Sequence, residues 1–118
     1  QNTIPDQELR YQGTVYLLIG ERCASANECF TMHMRSLANV VTLGDTTWGT
    51  VNCPHPVQLV DGWQVNRIAW SMRHVDLEPI EGVGIPPDIY VEATEEDFAQ
   101  GIDPVLEYAI ELVNSHSR

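Results

Sequence analysis

Hydrophobic and polar positions change period several times along this chain, and the changes mark out its elements. Thr14-Val15-Tyr16-Leu17-Leu18-Ile19 is almost continuously apolar between Gly13 and Gly20, which predicts a β-strand buried on both faces. The period then lengthens. Ala26, Phe30, Met34 and Leu37 recur at helical spacing with Cys29 and His33 alongside, the signature of one apolar helix face. Asn39 to Leu43 returns to a short apolar strand closed by Gly44 and Asp45. Strand, helix, strand predicts a parallel pair with a right-handed crossover, hence an α/β fold.

The second half reads differently. Pro56 to Val60 and Trp63 to Met72 flank Asp61-Gly62, a two-residue hairpin signal. Ile89 to Ala93 forms one more short strand. Thr94-Glu95-Glu96-Asp97 resembles a capping box with Asp in place of Glu, and Asp103-Pro104 is a second helix start. Val105, Leu106, Ala109, Ile110 and Val113 then supply a docking stripe. Residues 1–12 are a polar lead-in or linker, 13–115 the domain, and 116–118 a tail.

Composition narrows the chemistry. The chain has 118 residues, 43% of them apolar, enough for one domain with a core. Six cations against 17 carboxylates leave a net charge of −11. This argues against a nucleic-acid or anionic-membrane surface, where clustered cations meet phosphates. All six cations are arginines, so no lysine of this chain can act as a base, Schiff base or P-loop cation. No apolar run approaches the roughly 20 residues that span a bilayer. A start at Gln1 without Met or signal-peptide pattern leads us to expect a mature product or an excised piece. Cys23, Cys29 and Cys53 are odd in number and lack CxxC spacing, which favours buried free thiols over a zinc site or disulfide framework.

The most informative segment is Gly20-Glu21-Arg22-Cys23-Ala24-Ser25-Ala26-Asn27-Glu28, which joins the first strand to the first helix. Ser25 suits an N-cap, its hydroxyl accepting from an unpaired backbone N–H. It equally suits a nucleophile beside helix N-terminal N–H groups able to hold an oxyanion. Spacing leaves both open. Glu28 is read as reaching back to the helix start, Arg22 as a ligand for a substrate carboxylate or a balance for Glu21. Glu21, Glu28 and Glu81 are not brought together as a carboxylate pair by any spacing. The acidic run Glu92, Glu95, Glu96, Asp97 lacks the alternating oxygens and glycine of a calcium loop and is a solvated helix start. Trp48, Trp63 and Trp70 are read as buried.

Cys23-Ala24-Ser25-Ala26-Asn27-Glu28 resembles the serine motif of the C-terminal processing (tail-specific) peptidases, roughly T-A-S-A-x-E. The likeness continues in order through Leu43-Gly44-Asp45-Thr46-Thr47-Trp48-Gly49, Leu59-Val60-Asp61-Gly62, Glu81 to Val91 and Gly101 to Leu106. The resemblance implies the C-terminal, serine-bearing part of a Clp protease/crotonase-type α/β domain that hydrolyses peptide bonds by acyl transfer. It places Ser25 as nucleophile and the N–H of Ala26 as an oxyanion donor, with Gly49 and Thr50 as substrate-binding positions. Cofactor and metal are absent from the implied chemistry.

The Ser–Lys branch of that family has its base at position 50, where this chain has Thr50, so that branch is excluded. The tricorn-core and retinoid-binding-protein-like branch uses serine and histidine supported by a further serine and a glutamate, for which Glu81 stands in place. Its histidine belongs to a segment preceding the nucleophile. His33 lies eight residues along the helix from Ser25, about 12 Å by helical rise, and is read as packed or at an edge. His55 and His74 are weaker candidates, and His116 belongs to the tail. The expectation is therefore a fragment inactive alone, whose base comes from a preceding region. Its partner is a peptide or unfolded protein, and its uncovered apolar faces favour self-association. The resemblance implies an extracytoplasmic home. The hairpin edge offers peptide binding by strand addition. Two alternatives stand beside this: a silent peptide-binding scaffold of the same fold, and, ranked last because it needs cations for CoA phosphates, an acyl-CoA enzyme.

Overall fold

A computed structural model describes residues 11–74 and 78–116. The lead-in up to residue 10 and the last two residues of the tail lie outside the described residues, as do the side chains of Trp70 and His116. The elements in chain order are β1 (Val15–Ile19), α1 (Ala26–Arg35), β2 (Val40–Gly44), β3 (Cys53–Gln58), β4 (Gln64–Trp70), β5 (Ile89–Tyr90), α2 (Glu95–Ala99) and α3 (Pro104–His116).

The βαβ expectation holds: β1 and β2 pair in parallel, Val15 opposite Val40 through Ile19 opposite Gly44. β5 adds in parallel on the other side of β2, giving the order β1-β2-β5. β1 is thus at an edge of the sheet, and the expected burial on both faces fails. Ile19 is buried while Leu18 is exposed, because one face of the strand has no covering layer among the described residues. β2 is central, and Thr42, Leu43 and Gly44 are all buried there.

α1 has the expected position but the opposite orientation. Its buried residues are Glu28 and Thr31, and Met32 packs on the core of Val51, Ile80 and Ile85. The apolar stripe faces outward: Phe30 is 54% and Leu37 49% exposed. The buried polar groups outcompete the stripe because each finds partners. Thr31 Oγ1 donates to the carbonyl of Asn27 at 2.8 Å, and Glu28 is saturated as described below.

β3 and β4 form a separate antiparallel hairpin. Its first strand begins at Cys53, earlier than the apolar pattern predicts, and includes Pro54 and Pro56. Alternate spacing puts both prolines on the same side of the strand, where a missing N–H is tolerated at an edge. Asp61 (φ 59°) and Gly62 (φ 79°) both take positive φ, the tight turn that this dipeptide signals. The hairpin packs on itself, and no other described element makes substantial contact with it. Trp63 at its tip is 73% exposed and Trp48 is 66% exposed, so the expectation of buried tryptophans is corrected.

Of the stripe on α3, only Ala109 is buried; Val105 is half-buried, while Leu106, Ile110 and Val113 stay exposed. The thiols also depart from expectation. All three are free, but Cys23 and Cys29 are only half-buried and Cys53 is exposed on the hairpin. No helix among the described residues is long and apolar enough to cross a membrane.

Candidate active site

Ser25 caps α1 in an unusual backbone state, φ 55° and ψ −115°. An L-residue at positive φ outside a glycine costs on the order of 1–3 kcal/mol and persists only where its surroundings fix it. Those surroundings are visible. The N–H of Ser25 donates to the carbonyl of Thr50 at 2.9 Å and to Glu28 Oε2 at 3.0 Å, and its carbonyl accepts from the N–H groups of Glu28 and Cys29. The hydroxyl makes no capping hydrogen bond, and the residue is exposed. Ser25 and Glu28 thus sit in a capping-box arrangement, in which the serine oxygen faces the Glu28 N–H without a hydrogen bond to it. Next to it, the N–H of Ala26 has no acceptor among the described residues, as the first amides of a helix generally do not.

A strap of residues 47–52 runs past this turn without regular secondary structure, yet every N–H in it is bonded. Thr47 donates to the carbonyl of Ile85 and Trp48 to that of Cys23. Gly49 and Thr50 donate to Glu28 Oε1 and Oε2, at 2.6 and 2.9 Å. Val51 and Asn52 both donate to Glu81 Oε2 at 2.9 Å. Backbone donors that lack a ladder must find other acceptors; here two glutamates supply four of the six. The three glutamates singled out in the sequence thus separate. Glu28 and Glu81 meet on one strap, while Glu21 is exposed elsewhere.

A single peptide group connects the two functional candidates. The carbonyl of Thr50 accepts from Ser25, and the N–H of the same Thr50–Val51 peptide donates to Glu81. Glu81 is half-buried, and its Oε1 has no partner among the described residues. Asn52 Oδ1 is buried and likewise without a hydrogen-bond partner. Gly49 is buried, its N–H is given to Glu28 and its carbonyl accepts from the Gly82 N–H at 2.7 Å. Thr50 is exposed, with both backbone groups engaged.

None of the remaining candidate side chains is hydrogen-bonded to Ser25 among the described residues. His33 is exposed, with Nδ1 2.7 Å from the carbonyl of Cys29. His55 sits on β3, and His74 lies in a separate cleft with Arg35, Glu78 and Pro86. Arg22 and Glu21 are both exposed and form no ion pair among the described residues. Asp97 carries the capping box of α2 rather than a cation, and no cluster of metal-ligating side chains occurs among the described residues. Cys23 is close in sequence to Ser25, but burial pushes its thiol up; the bond with Thr31 opposes this and the charge of Glu28 adds to it. A raised thiol is a poor nucleophile near neutral pH.

Beyond the ends of β1 and β2 lies a cleft of about 600 Å³ lined by Ile19, Cys23, Asn27, Phe30, Phe98 and Val105 among others. Cys23 and Asn27, two positions to either side of Ser25, line it, whereas Ser25 itself does not. Crevices at the carboxyl ends of parallel strands are the usual ligand positions of α/β sheets.

The sequence profile of peptidase family S41 matches residues 1–91. The tricorn protease of Thermoplasma acidophilum is 26% identical over 104 residues, 86% of this chain and 10% of its own. A tricorn protease homolog of Saccharolobus solfataricus is 30% identical over 107 residues, again 86% of this chain and 10% of its own. Among solved structures, a peptidase candidate from Parabacteroides merdae superposes with a TM-score of 0.77 at 34% identity, over 92% of this chain and 34% of that one. The chain spans about a tenth of the curated relatives it matches and about a third of that structure.

Proposed function

Because this chain belongs to peptidase family S41, we propose that it is the serine-bearing C-terminal part of the catalytic domain of a serine peptidase. The observation that carries this is the state of Ser25: an exposed hydroxyl with no hydrogen bond among the described residues, on a backbone held at positive φ, beside the Ala26 N–H, which has no acceptor among them. Ser25 Oγ attacks the scissile carbonyl of a peptide or unfolded protein, and the Ala26 N–H stabilises the oxyanion. A histidine from outside this chain accepts the serine proton and returns it to the leaving amine. Glu81 Oε1 and Asn52 Oδ1, acceptors without donors among the described residues, support the reading that a donor group docks there. The placement of His33, His55 and His74 supports a base of external origin. Exposed Phe30, Leu37, Ile110 and Val113 support self-association of the isolated chain.

Hydrolysis of an unfolded protein and labelling by a fluorophosphonate test this. The full-length protein that carries this chain turns over substrate, and Ser25→Ala lowers the rate by about 10³-fold or more. Turnover that survives Ser25→Ala refutes the assignment. The 118 residues alone give little turnover; robust Ser25-dependent turnover refutes the external base.

A further inference from the structure

The structure holds one feature that the peptidase reading does not use. Glu28 is completely buried, with no cation within ion-pair distance among the described residues. Its two oxygens instead take four donors: Oε1 from Thr47 Oγ1 and the Gly49 N–H, both at 2.6 Å, and Oε2 from the N–H groups of Ser25 and Thr50, at 3.0 and 2.9 Å. A carboxylate has about four acceptor positions, so it is saturated. An ordinary capping box asks of its glutamate only the bond to the N-cap N–H. The other three run to the strap, twenty residues away in sequence. A buried carboxylate is a costly way to fill space, but a neutral amide could not replace it. One end of an amide is a donor and would face N–H groups already pointing inward.

We propose that Glu28 is a positioning residue: it clamps the Ser25 turn to the 47–52 strap and thereby holds Ser25 at positive φ with its hydroxyl outward. The geometric half stands by itself; the consequence for reactivity rests on the peptidase reading.

Amide hydrogen exchange of the 118-residue chain tests the clamp. In Glu28→Gln the amides of Ser25, Gly49 and Thr50 exchange at least about tenfold faster relative to the interior of α1. Thr94→Ala, which weakens the remote α2 cap, leaves that ratio unchanged. An unchanged ratio in Glu28→Gln overturns the proposal. Should Glu28→Gln not fold, Thr47→Val removes one of the four donors, and the same ratio must rise, less steeply, at Gly49 and Thr50. The second measurement is fluorophosphonate labelling of the full-length protein at a temperature where both forms are folded by circular dichroism. Glu28→Gln labels about 30-fold or more slowly, the scale of a small misplacement of a reacting group, with the shape of the pH profile retained. A loss below threefold overturns the role in reactivity. A wild-type protein that does not label at Ser25 refutes the peptidase reading, and the exchange ratio still decides the clamp.

Discussion

The Ser25 hub and the β3–β4 hairpin are neighbours in sequence, joined at Cys53, and they are organised by opposite means. The hub has little regular structure but is dense in long-range bonds: Glu28, Glu81 and Thr47 saturate irregular backbone, and Val51, Ile80 and Ile85 close a small core beneath. The hairpin has the regular ladder and few other contacts, with Leu59, Val60, Trp63, Val65 and Ile68 all exposed. Regular hydrogen bonding is therefore no guide to how firmly a segment is tied to the rest of this molecule. A two-stranded ribbon is marginal in water by itself, whereas a saturated network specifies one geometry.

Matched substitutions sharpen that contrast. A Cβ at Gly84 (φ 82°) would lie 2.1 Å from the carbonyl oxygen of Thr47. Gly84→Ala is expected to lose about 2–4 kcal/mol in thermal or urea unfolding, from positive φ plus overpacking. Thr47 Oγ1 donates to Glu28 and accepts from the Ile85 N–H at 2.8 Å. Thr47→Val removes both bonds and costs about 1–3 kcal/mol in the same assay. Gly62 in the hairpin turn shares the positive φ but has open space around it. Gly62→Ala therefore costs only about 1 kcal/mol, the backbone part alone. If Gly62→Ala proves as damaging as Gly84→Ala, the contrast collapses. Ile68→Thr, on the exposed hairpin, is expected to stay within about 0.5 kcal/mol of wild type.

A pH experiment probes the hub from its far side, where Asp88 ties the segment before β5 to β2. Its Oδ2 accepts from the N–H and the hydroxyl of Thr42, both at 2.8 Å, and its Oδ1 from Arg35 at 3.0 Å. Burial pushes this carboxyl up, but the Thr42 bonds and then Arg35 outweigh it and hold it below the usual carboxylate range. A folded value below the unfolded one contributes stability above about pH 4 that is lost as pH falls through the folded value. Unfolding midpoints measured between pH 6 and 2 are expected to fall in that window, and less so for Asp88→Asn.

Much of this was legible in residue order, for physical reasons that differ by element. β1, α1 and β2 announce themselves through period, and Ser25 through its place between strand and helix. The facing of α1 was not legible. Periodicity assumes that apolar residues turn inward, but Glu28 and Thr31 are buried by partners, three of them on a strap that no local pattern connects to the helix. The start of β3 was hidden because Pro54 and Pro56 read as a loop, though an edge accepts them. The bonds of Glu81 to Val51 and Asn52 were not legible, because they depend on contact across 29 to 30 residues. What Gly49 packs against was not legible either, because a glycine in a motif signals close approach without saying to what; a Cβ there would meet the backbone of residues 80–84.

The peptide linking Thr50 to Val51 has one more implication. Resonance keeps its atoms in a plane, so it behaves as a small rigid paddle gripped at opposite edges by residues 25 and 81. Pulling on the carboxylate must tilt the paddle, and the tilt reaches the serine amide without any rotatable side-chain bond to absorb it. A group docking at 81 would thus bear on the same rigid unit that holds the amide of residue 25.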